Sequence, residues 1–136
     1  MSSDREYHKD GTLPETGVFV FGSNLAGRHG AGAAKVAANR FGARYGKGYG
    51  MSGTSFAIPT KDENLQTLPL YAIIDHIEGF VRATHHPFNE NVKWFVTRVG
   101  CGLAGYKDEE IAPYFKNAKN CSFAEEWRPY LENEDG

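Results

Sequence analysis

Two glycine-rich segments contain the residue types best suited to holding a phosphorylated ligand. The first covers residues 22–32 (GSNLAGRHGAG) and the second covers residues 100–106 (GCGLAGY). Small residues let a ligand approach the backbone closely, so that main-chain N–H groups can donate hydrogen bonds to phosphate oxygens. The two segments together predict a binding site for an anionic ligand.

Side chains in both segments could add to these backbone contacts. Asn24 carries a donor and an acceptor for a ribose hydroxyl or an exocyclic amide, although asparagine also stabilises turns. Arg28 and His29 could pair with phosphate or lie solvated in the loop. Tyr106 offers a ring to a ribose or base, whereas cysteine at position 101 most often acts as a small hydrophobe. The predicted ligand contacts are Gly22, Ser23, Asn24, Arg28, His29, Gly30, Ala31, Gly32, Gly100, Cys101, Gly102, Leu103, Ala104, Gly105 and Tyr106.

A third chemically useful feature is the pair Lys61 and Asp62, which directly follows a predicted strand. Lysine becomes a nucleophile when desolvation lowers its pKa, whereas a lysine after a strand is otherwise a solvent-facing residue. Asp62 could steer Lys61, activate a water molecule, or simply begin a turn over residues 62–64. Lys61 and Asp62 are therefore the catalytic candidates, each with a structural alternative.

Charge is distributed unevenly along the chain. Residues 17–60 contain lysine and arginine but no Asp or Glu, whereas acidic residues dominate from residue 108 onward. An anionic ligand would meet the least electrostatic repulsion in the acid-free half. The net charge of −2 and the lack of a recognised motif do not favour nucleic acid as a partner. The first glycine-rich segment lacks the GxGxxG spacing of dinucleotide-binding proteins, and the chain contains no Gly-Lys-Ser/Thr sequence.

Apolar runs and helical periodicity predict alternating strands and helices. The predicted strands cover residues 17–22, 54–59, 92–99 and 120–123, and the predicted helices cover 31–41, 70–81 and a segment from 108. Pro59 is expected to end its strand, Pro113 to delay or bend its helix, and residues 42–53 to form an exposed, mobile loop. This order implies a three-layer α/β/α architecture with a mainly parallel sheet. Ligands bind beyond the carboxyl ends of such strands.

The length and composition predict one domain. A chain of 136 residues with 40% hydrophobic residues can build a single core, expected over about 17–123, with flexible ends at 1–16 and 131–136. No apolar run is long enough for a membrane span, and no signal-peptide core occurs. The two cysteines lack metal or disulfide spacing, so we expect no metal, no cofactor and a reducing, cytoplasmic setting. The oligomeric state is left open.

Two blocks of the sequence resemble a known family. Residues 21–24 (FGSN) and the helix start at 30–34 resemble the Asn-Ala-Ala-Asn and glycine-rich segment of macro domains. Residues 98–103 (RVGCGL) resemble the diphosphate loop of the branch that removes terminal ADP-ribose from acidic side chains. The resemblance covers roughly residues 17–118 and extends to short phage and bacterial proteins that share the FGSN and GCGLAGY blocks. It implies a compact macro-domain-like fold and binding of ADP-ribose or a related nucleotide diphosphate.

The resemblance also implies a reaction. In that branch a lysine just after a strand is the nucleophile, and Lys61 lies in the matching place. The aspartates that hydrolytic members carry in the two loops fall near Ala31 and Ala104. Two functions therefore stay open: an ADP-ribosyl hydrolase acting on ADP-ribosylated substrates, and a non-enzymatic binder that sequesters a nucleotide signal or serves as an interaction module.

Overall fold

The computed structural model describes residues 5–132, which form one sheet with helices on both faces. Strands β1 to β6 cover Glu6–His8, Val18–Asn24, Gly50–Ser52, Ser55–Lys61, Trp94–Val96 and Cys121–Ala124. Helices α1 to α4 cover Gly32–Arg40, Leu70–Thr84, Asp108–Ile111 and Arg128–Leu131. Short 3-10 turns cover Pro87–Asn89, Ala112–Phe115 and Glu125–Trp127.

The six strands lie in the order β1-β6-β5-β2-β4-β3. Every neighbouring pair is parallel except β3 with β4, which confirms the predicted mainly parallel sheet. Because β2, β4 and β5 run in the same direction, their carboxyl ends share one edge of the sheet. The loops that follow these three strands therefore meet there.

Alternation along β2 divides the core between the two faces of the sheet. Val18 and Val20 face the large cluster that contains the fully buried Ile73, Ile77 and Phe80 of α2. Each such apolar side chain contributes about 1.5–3 kcal/mol on burial. The opposite face packs against α1 through small residues, including Ala34 and Ala37. Alanine lets α1 approach the sheet closely, which brings the start of α1 next to the end of β2.

The predicted helix over 70–81 is confirmed and extends to Thr84. The predicted helix from residue 108 is interrupted: α3 ends at Ile111 and continues as a 3-10 turn with Pro113 near its start. Proline lacks the N–H that a longer α-helix would need at this position. The helix therefore begins at Asp108 rather than later, and the segment with Pro113 limits it to four residues.

The predicted end of a strand at Pro59 is wrong, since β4 continues to Lys61. β3 pairs with β4 only as far as Ala57, and β2 changes register between Ser23 and Asn24, beside Pro59. A proline in a strand is tolerated where the ladder is irregular or has only one neighbour, because no hydrogen bond then requires its missing N–H.

Two strands were not predicted from the sequence. β1 lies inside the polar segment 1–16 and pairs in parallel with β6, and β3 lies inside the predicted loop 42–53. Both are three-residue edge strands, too short to show a period-two pattern. Residues 1–4 and 133–136 of the predicted flexible ends lie outside the described residues. Over residues 5–132, no helix has the length and apolar character that crossing a bilayer requires.

Candidate ligand-binding site

A cavity of about 670 Å³ lies at the carboxyl edge of the sheet. Its volume falls in the range of about 300–1,000 Å³ that is typical of small-molecule sites. Its lining comes from residues 8–13, from β2 and the first glycine-rich loop with the start of α1, from the end of β4, and from residues 95–104, which include the second glycine-rich loop. Both glycine-rich loops and the end of β4 therefore meet at one edge of the sheet, as predicted.

The first loop is shaped by the side chain of Asn24. Its Oδ1 accepts a hydrogen bond from the Arg28 backbone N–H at 2.9 Å, and its Nδ2 donates to the Arg28 carbonyl at 2.7 Å. Asn24 lines the cavity and is 7% exposed. The turn-forming role of asparagine is therefore present here, and it brings Arg28 to the cavity wall.

Close backbone contacts attach this loop to residues 42–53. A Cβ at Gly27 would lie 2.3 Å from the Lys47 nitrogen, and one at Gly48 would lie 2.2 Å from the Asn24 carbonyl oxygen. The hydroxyl of Ser23 donates to the Gly48 carbonyl. Several glycines of the predicted loop 42–53 thus serve packing against the cavity wall.

His29, predicted as a phosphate contact or a solvated loop residue, is not among the residues that line the cavity. The ring is 1% exposed, and its Nε2 donates to the Arg44 carbonyl at 2.8 Å. It packs edge-on between the rings of Phe21 and Tyr45, at centroid distances of 5.5 and 5.4 Å. Burial behind the loop makes His29 a link between residues 22–32 and 42–53.

The second loop presents residues 100–104 to the cavity. Gly100 has a φ of +78°, a conformation that favours glycine. A Cβ at Gly102 would meet nothing within 4 Å, so the backbone there is open to a ligand. The Leu103 side chain reaches across to the first loop, 3.6 Å from the Cβ position of Gly32. The two loops therefore meet over the cavity.

Gly105 and Tyr106, also predicted as ligand contacts, are not among the residues that line the cavity. The Tyr106 hydroxyl donates to the Leu68 carbonyl at 2.8 Å. This bond holds the end of the loop against the start of α2, so the ring is used for packing. Gly105 closes a turn by donating to the Gly102 carbonyl at 3.0 Å.

Lys61 and Asp62 have different environments. The register change in β2 places Lys61 opposite Asn24, and Lys61 lines the cavity. Asp62 does not line it: its Oδ1 accepts from the backbone N–H groups of Asn64 and Gln66 at 2.8 and 2.9 Å. The carboxylate of Asp62 therefore forms the turn that was the structural alternative to its predicted catalytic role.

The aromatic part of the cavity lining, which we call the aromatic end, was missed by sequence reasoning. His8 stacks on Phe95 with centroids 3.8 Å apart and planes at 16°, and both line the cavity with Phe19 and Val36. Burial lowers the pKa of His8, against the opposing charges of Asp10 and two glutamates. A polar three-residue strand carries no local signal of this role, since only pairing with β6 brings His8 here.

Arg98 at this end is held between two carboxylates. Its Nε and Nη2 donate to Asp108 at 2.9 and 2.7 Å, and its Nη1 donates to Asp10 at 3.2 Å. Burial raises the pKa of Asp108, but hydrogen bonds from Arg98 and Trp127 outweigh it and leave the pKa below its ordinary value. Burial, with the nearby Asp108, raises the pKa of the Cys101 thiol to about 12.

The described residues contain no group of three or more His, Cys, Asp or Glu side chains that could hold a metal ion. The charged side chains that line the cavity are three cations and one carboxylate, Asp10, and they stand beside backbone amides and neutral polar side chains such as Asn24. Such a set is chemically suited to an organic anion, which it can contact through hydrogen bonds and charge.

The comparison with known proteins identifies the fold. No protein-family model and no curated protein matches the chain. The macrodomain of Mycobacterium tuberculosis DarG has a TM-score of 0.62 at 15% identity, covering 88% of this chain and 96% of that chain. Thermosipho africanus DarTG in complex with ADP-ribose has a TM-score of 0.56 at 14% identity, covering 86% of this chain and 43% of that chain.

The chain is thus a three-layer α/β protein with a cavity of about 670 Å³ at the carboxyl edge of its sheet. More specifically, its fold is the macrodomain fold.

Proposed function

We propose that this protein binds ADP-ribose in the cavity at the carboxyl edge of the sheet. The observation that carries the proposal is the division of one cavity into a glycine-rich end and an aromatic end. A nucleotide diphosphate has the same division, because its phosphates are anionic and its base is a flat apolar ring. The macrodomain fold, and a neighbour solved with ADP-ribose, support the choice of this nucleotide.

The diphosphate belongs at the start of α1 and at the second loop. The N-cap of α1 is Ala31, which makes no side-chain hydrogen bond, and the first turn contains no acidic residue. The amide groups at this end are therefore available to phosphate oxygens, and the helix dipole favours negative charge there. Arg28 and Lys61 line the same end and add positive charge.

The base belongs at the aromatic end. The His8–Phe95 stack offers flat apolar surface, and burial keeps His8 mainly neutral near pH 7 because it lowers the pKa of the imidazole. Asp10 is the one carboxylate among the described lining residues. A carboxylate accepts hydrogen bonds, so it favours a base with an exocyclic amine over a base that presents a carbonyl.

Isothermal titration calorimetry with ADP-ribose tests the proposal directly. We expect binding by ADP-ribose, weaker binding by AMP and by ribose 5-phosphate, and weaker binding by an inosine analogue of ADP-ribose. The Lys107→Met variant serves as a control, because Lys107 is exposed and does not line the cavity. No heat of binding with ADP-ribose at millimolar concentration would refute the proposal.

A second candidate is hydrolysis of ADP-ribosylated substrates, favoured by the position of Lys61 in the cavity. Its amine could act as a nucleophile once unprotonated. The loop residues Ala31 and Ala104 provide no carboxylate to activate water at this end. We therefore place binding first and hydrolysis second.

A de-modification assay on ADP-ribosylated protein separates the two candidates. If the protein is a hydrolase, Lys61→Ala abolishes turnover, whereas Asp62→Asn retains it because Asp62 forms a turn outside the cavity. If it is a binder, ADP-ribosylated protein is recovered unchanged while calorimetry shows binding. Full turnover by Lys61→Ala would exclude Lys61 as the nucleophile.

A further inference from the structure

Arg98 lines the cavity, yet its hydrogen bonds are directed to carboxylates. Its Nε and Nη2 form a two-pronged contact with Asp108, and its Nη1 contacts Oδ2 of Asp10 at 3.2 Å. One positive and two negative charges give this cluster a net negative charge. It is therefore not suited to hold a phosphate, although an arginine beside a nucleotide cavity would ordinarily be assigned to one.

The Asp108 end of this cluster is firmly anchored. Oδ1 of Asp108 also accepts a hydrogen bond at 2.7 Å from Nε1 of Trp127, whose side chain is fully buried. Asp108 lies at the start of α3, and the guanidinium is planar with donors in fixed directions. Fixing Asp108 therefore fixes the position from which Arg98 reaches Asp10.

The Asp10 end belongs to a segment with few other supports. Pairing of β1 with β6 ends at His8, after which the chain leaves the sheet and turns locally through bonds from Thr12 to the Lys9 carbonyl. Over residues 9–16, the contact of Asp10 with Arg98 is the side-chain hydrogen bond or ion pair that reaches the rest of the described chain. Residues 10–13 nevertheless form a wall of the cavity.

We propose that Arg98 is a positioning residue for ligand binding: it joins Asp10 to Asp108 and so holds residues 10–13 as the wall of the aromatic end. The contact uses Oδ2 of Asp10, which allows Oδ1 to accept a hydrogen bond from the ligand base. The inference rests on the proposed function, since it assigns Arg98 to the base half of the same nucleotide. It predicts that loss of Arg98 weakens base recognition without changing contacts at the glycine-rich end.

The test compares two halves of the ligand in the full chain. For Arg98→Met and Arg98→Lys, we expect affinity for AMP to fall about tenfold, corresponding to one charge-assisted hydrogen bond, while affinity for ribose 5-phosphate stays the same. Lysine at position 98 is not expected to restore AMP affinity, because one ammonium group cannot replace the guanidinium contacts with both Asp108 and Asp10. Asp10→Asn lowers AMP affinity at least as much, because it removes both the ion pair with Arg98 and the charged acceptor for the base, and adding Arg98→Met to Asp10→Asn lowers the affinity little further.

Hydrogen exchange of the ligand-free protein supplies a readout that needs no ligand. Amides of residues 10–13 are expected to exchange faster in Arg98→Met than in the wild type. Arg82→Met, which removes an exposed arginine of α2 outside the cavity, should leave them unchanged. Asp10→Asn retains the Arg98–Asp108 contact, so it tests the wall even if Arg98→Met does not fold.

The outcomes separate the two proposals. Wild-type protein that binds neither ADP-ribose nor AMP refutes the proposed function, and the exchange experiment then decides the role of Arg98 alone. Unchanged exchange of residues 10–13 in Arg98→Met and Asp10→Asn overturns the positioning role. Equal losses of AMP and ribose 5-phosphate affinity in Arg98→Lys also overturn it, because they indicate general damage to the cavity.

Discussion

Gly102 offers the sharpest single test of the cavity. It lies in the second glycine-rich loop, lines the cavity, and has no positive φ that would exclude a side chain. A Cβ there would meet no atom within 4 Å, so the folded protein can accept Gly102→Val. The methyl groups of the valine would instead occupy space that we assign to the diphosphate.

The expected effects follow from this geometry. An exposed position without special contacts changes the free energy of unfolding by about 0.5 kcal/mol or less. Binding loses more, because the added side chain prevents phosphate oxygens from reaching nearby amide groups. Two hydrogen bonds to a charged group at about 1.5 kcal/mol each amount to about 3 kcal/mol, or roughly a hundredfold in affinity.

Calorimetry with ADP-ribose and thermal unfolding measure the two effects separately. Gly102→Ala should give a smaller loss of affinity, since it adds one carbon, and Asn91→Val should give none, since Asn91 is exposed outside the cavity. Wild-type affinity in a correctly folded Gly102→Val variant would refute the assignment of the diphosphate to this loop. A large drop in the melting temperature of Gly102→Val would show that the added side chain clashes, contrary to the open space at Gly102.

Three further predictions concern stability and reactivity. Gly48→Ala should destabilise the protein by about 1–3 kcal/mol in chemical denaturation, because its Cβ would lie 2.2 Å from the Asn24 carbonyl oxygen. Gly30→Ala should not destabilise it, because a Cβ at Gly30 would meet no atom within 4 Å. Equal effects of the two substitutions would contradict the close packing of Gly48 against the first glycine-rich loop. Asp108 has a lowered pKa, so its contribution to the free energy of unfolding is present above its unfolded pKa of about 4 and is lost as pH falls through the folded pKa. The free energy of unfolding of Asp108→Asn should therefore vary less with pH below about 4 than that of the wild type. An identical pH profile would exclude the Arg98 contact. Burial raises the pKa of Cys101 to about 12, so that little reactive thiolate is present at pH 8. Alkylation of Cys101 at pH 8, measured by mass spectrometry, should be more than about a hundredfold slower than alkylation of a free cysteine. Rapid labelling would contradict a buried thiol.

The main elements were predictable from local patterns. The i, i+3, i+4, i+7 apolar spacing predicted α2, and Ile73, Ile77 and Phe80 on that stripe are fully buried. The alternation of strands and helices predicted the mainly parallel sheet. β1 and β3 could not be found this way, because three residues on a sheet edge show neither an apolar run nor a period.

The site was predictable only in part. The glycine-rich loops were recognisable because clusters of small residues at strand ends leave the backbone accessible to a ligand, and the structure places residues 22–24, 30–32 and 100–104 at the cavity. The sequence did not show which side chains point into the cavity and which point away from it. His29 faces the core and Asp62 caps a turn, and each residue type has both a functional and a structural use.

The sequence by itself determined which loops can accept a phosphate, because the absence of side chains is a local property of the chain. Tertiary structure decided what completes the cavity. Asp10 and Arg98 are separated by 88 residues, and His8 reaches the site only through pairing of β1 with β6. Such contacts depend on which strands become neighbours when the core packs, and no periodicity in either segment records that choice.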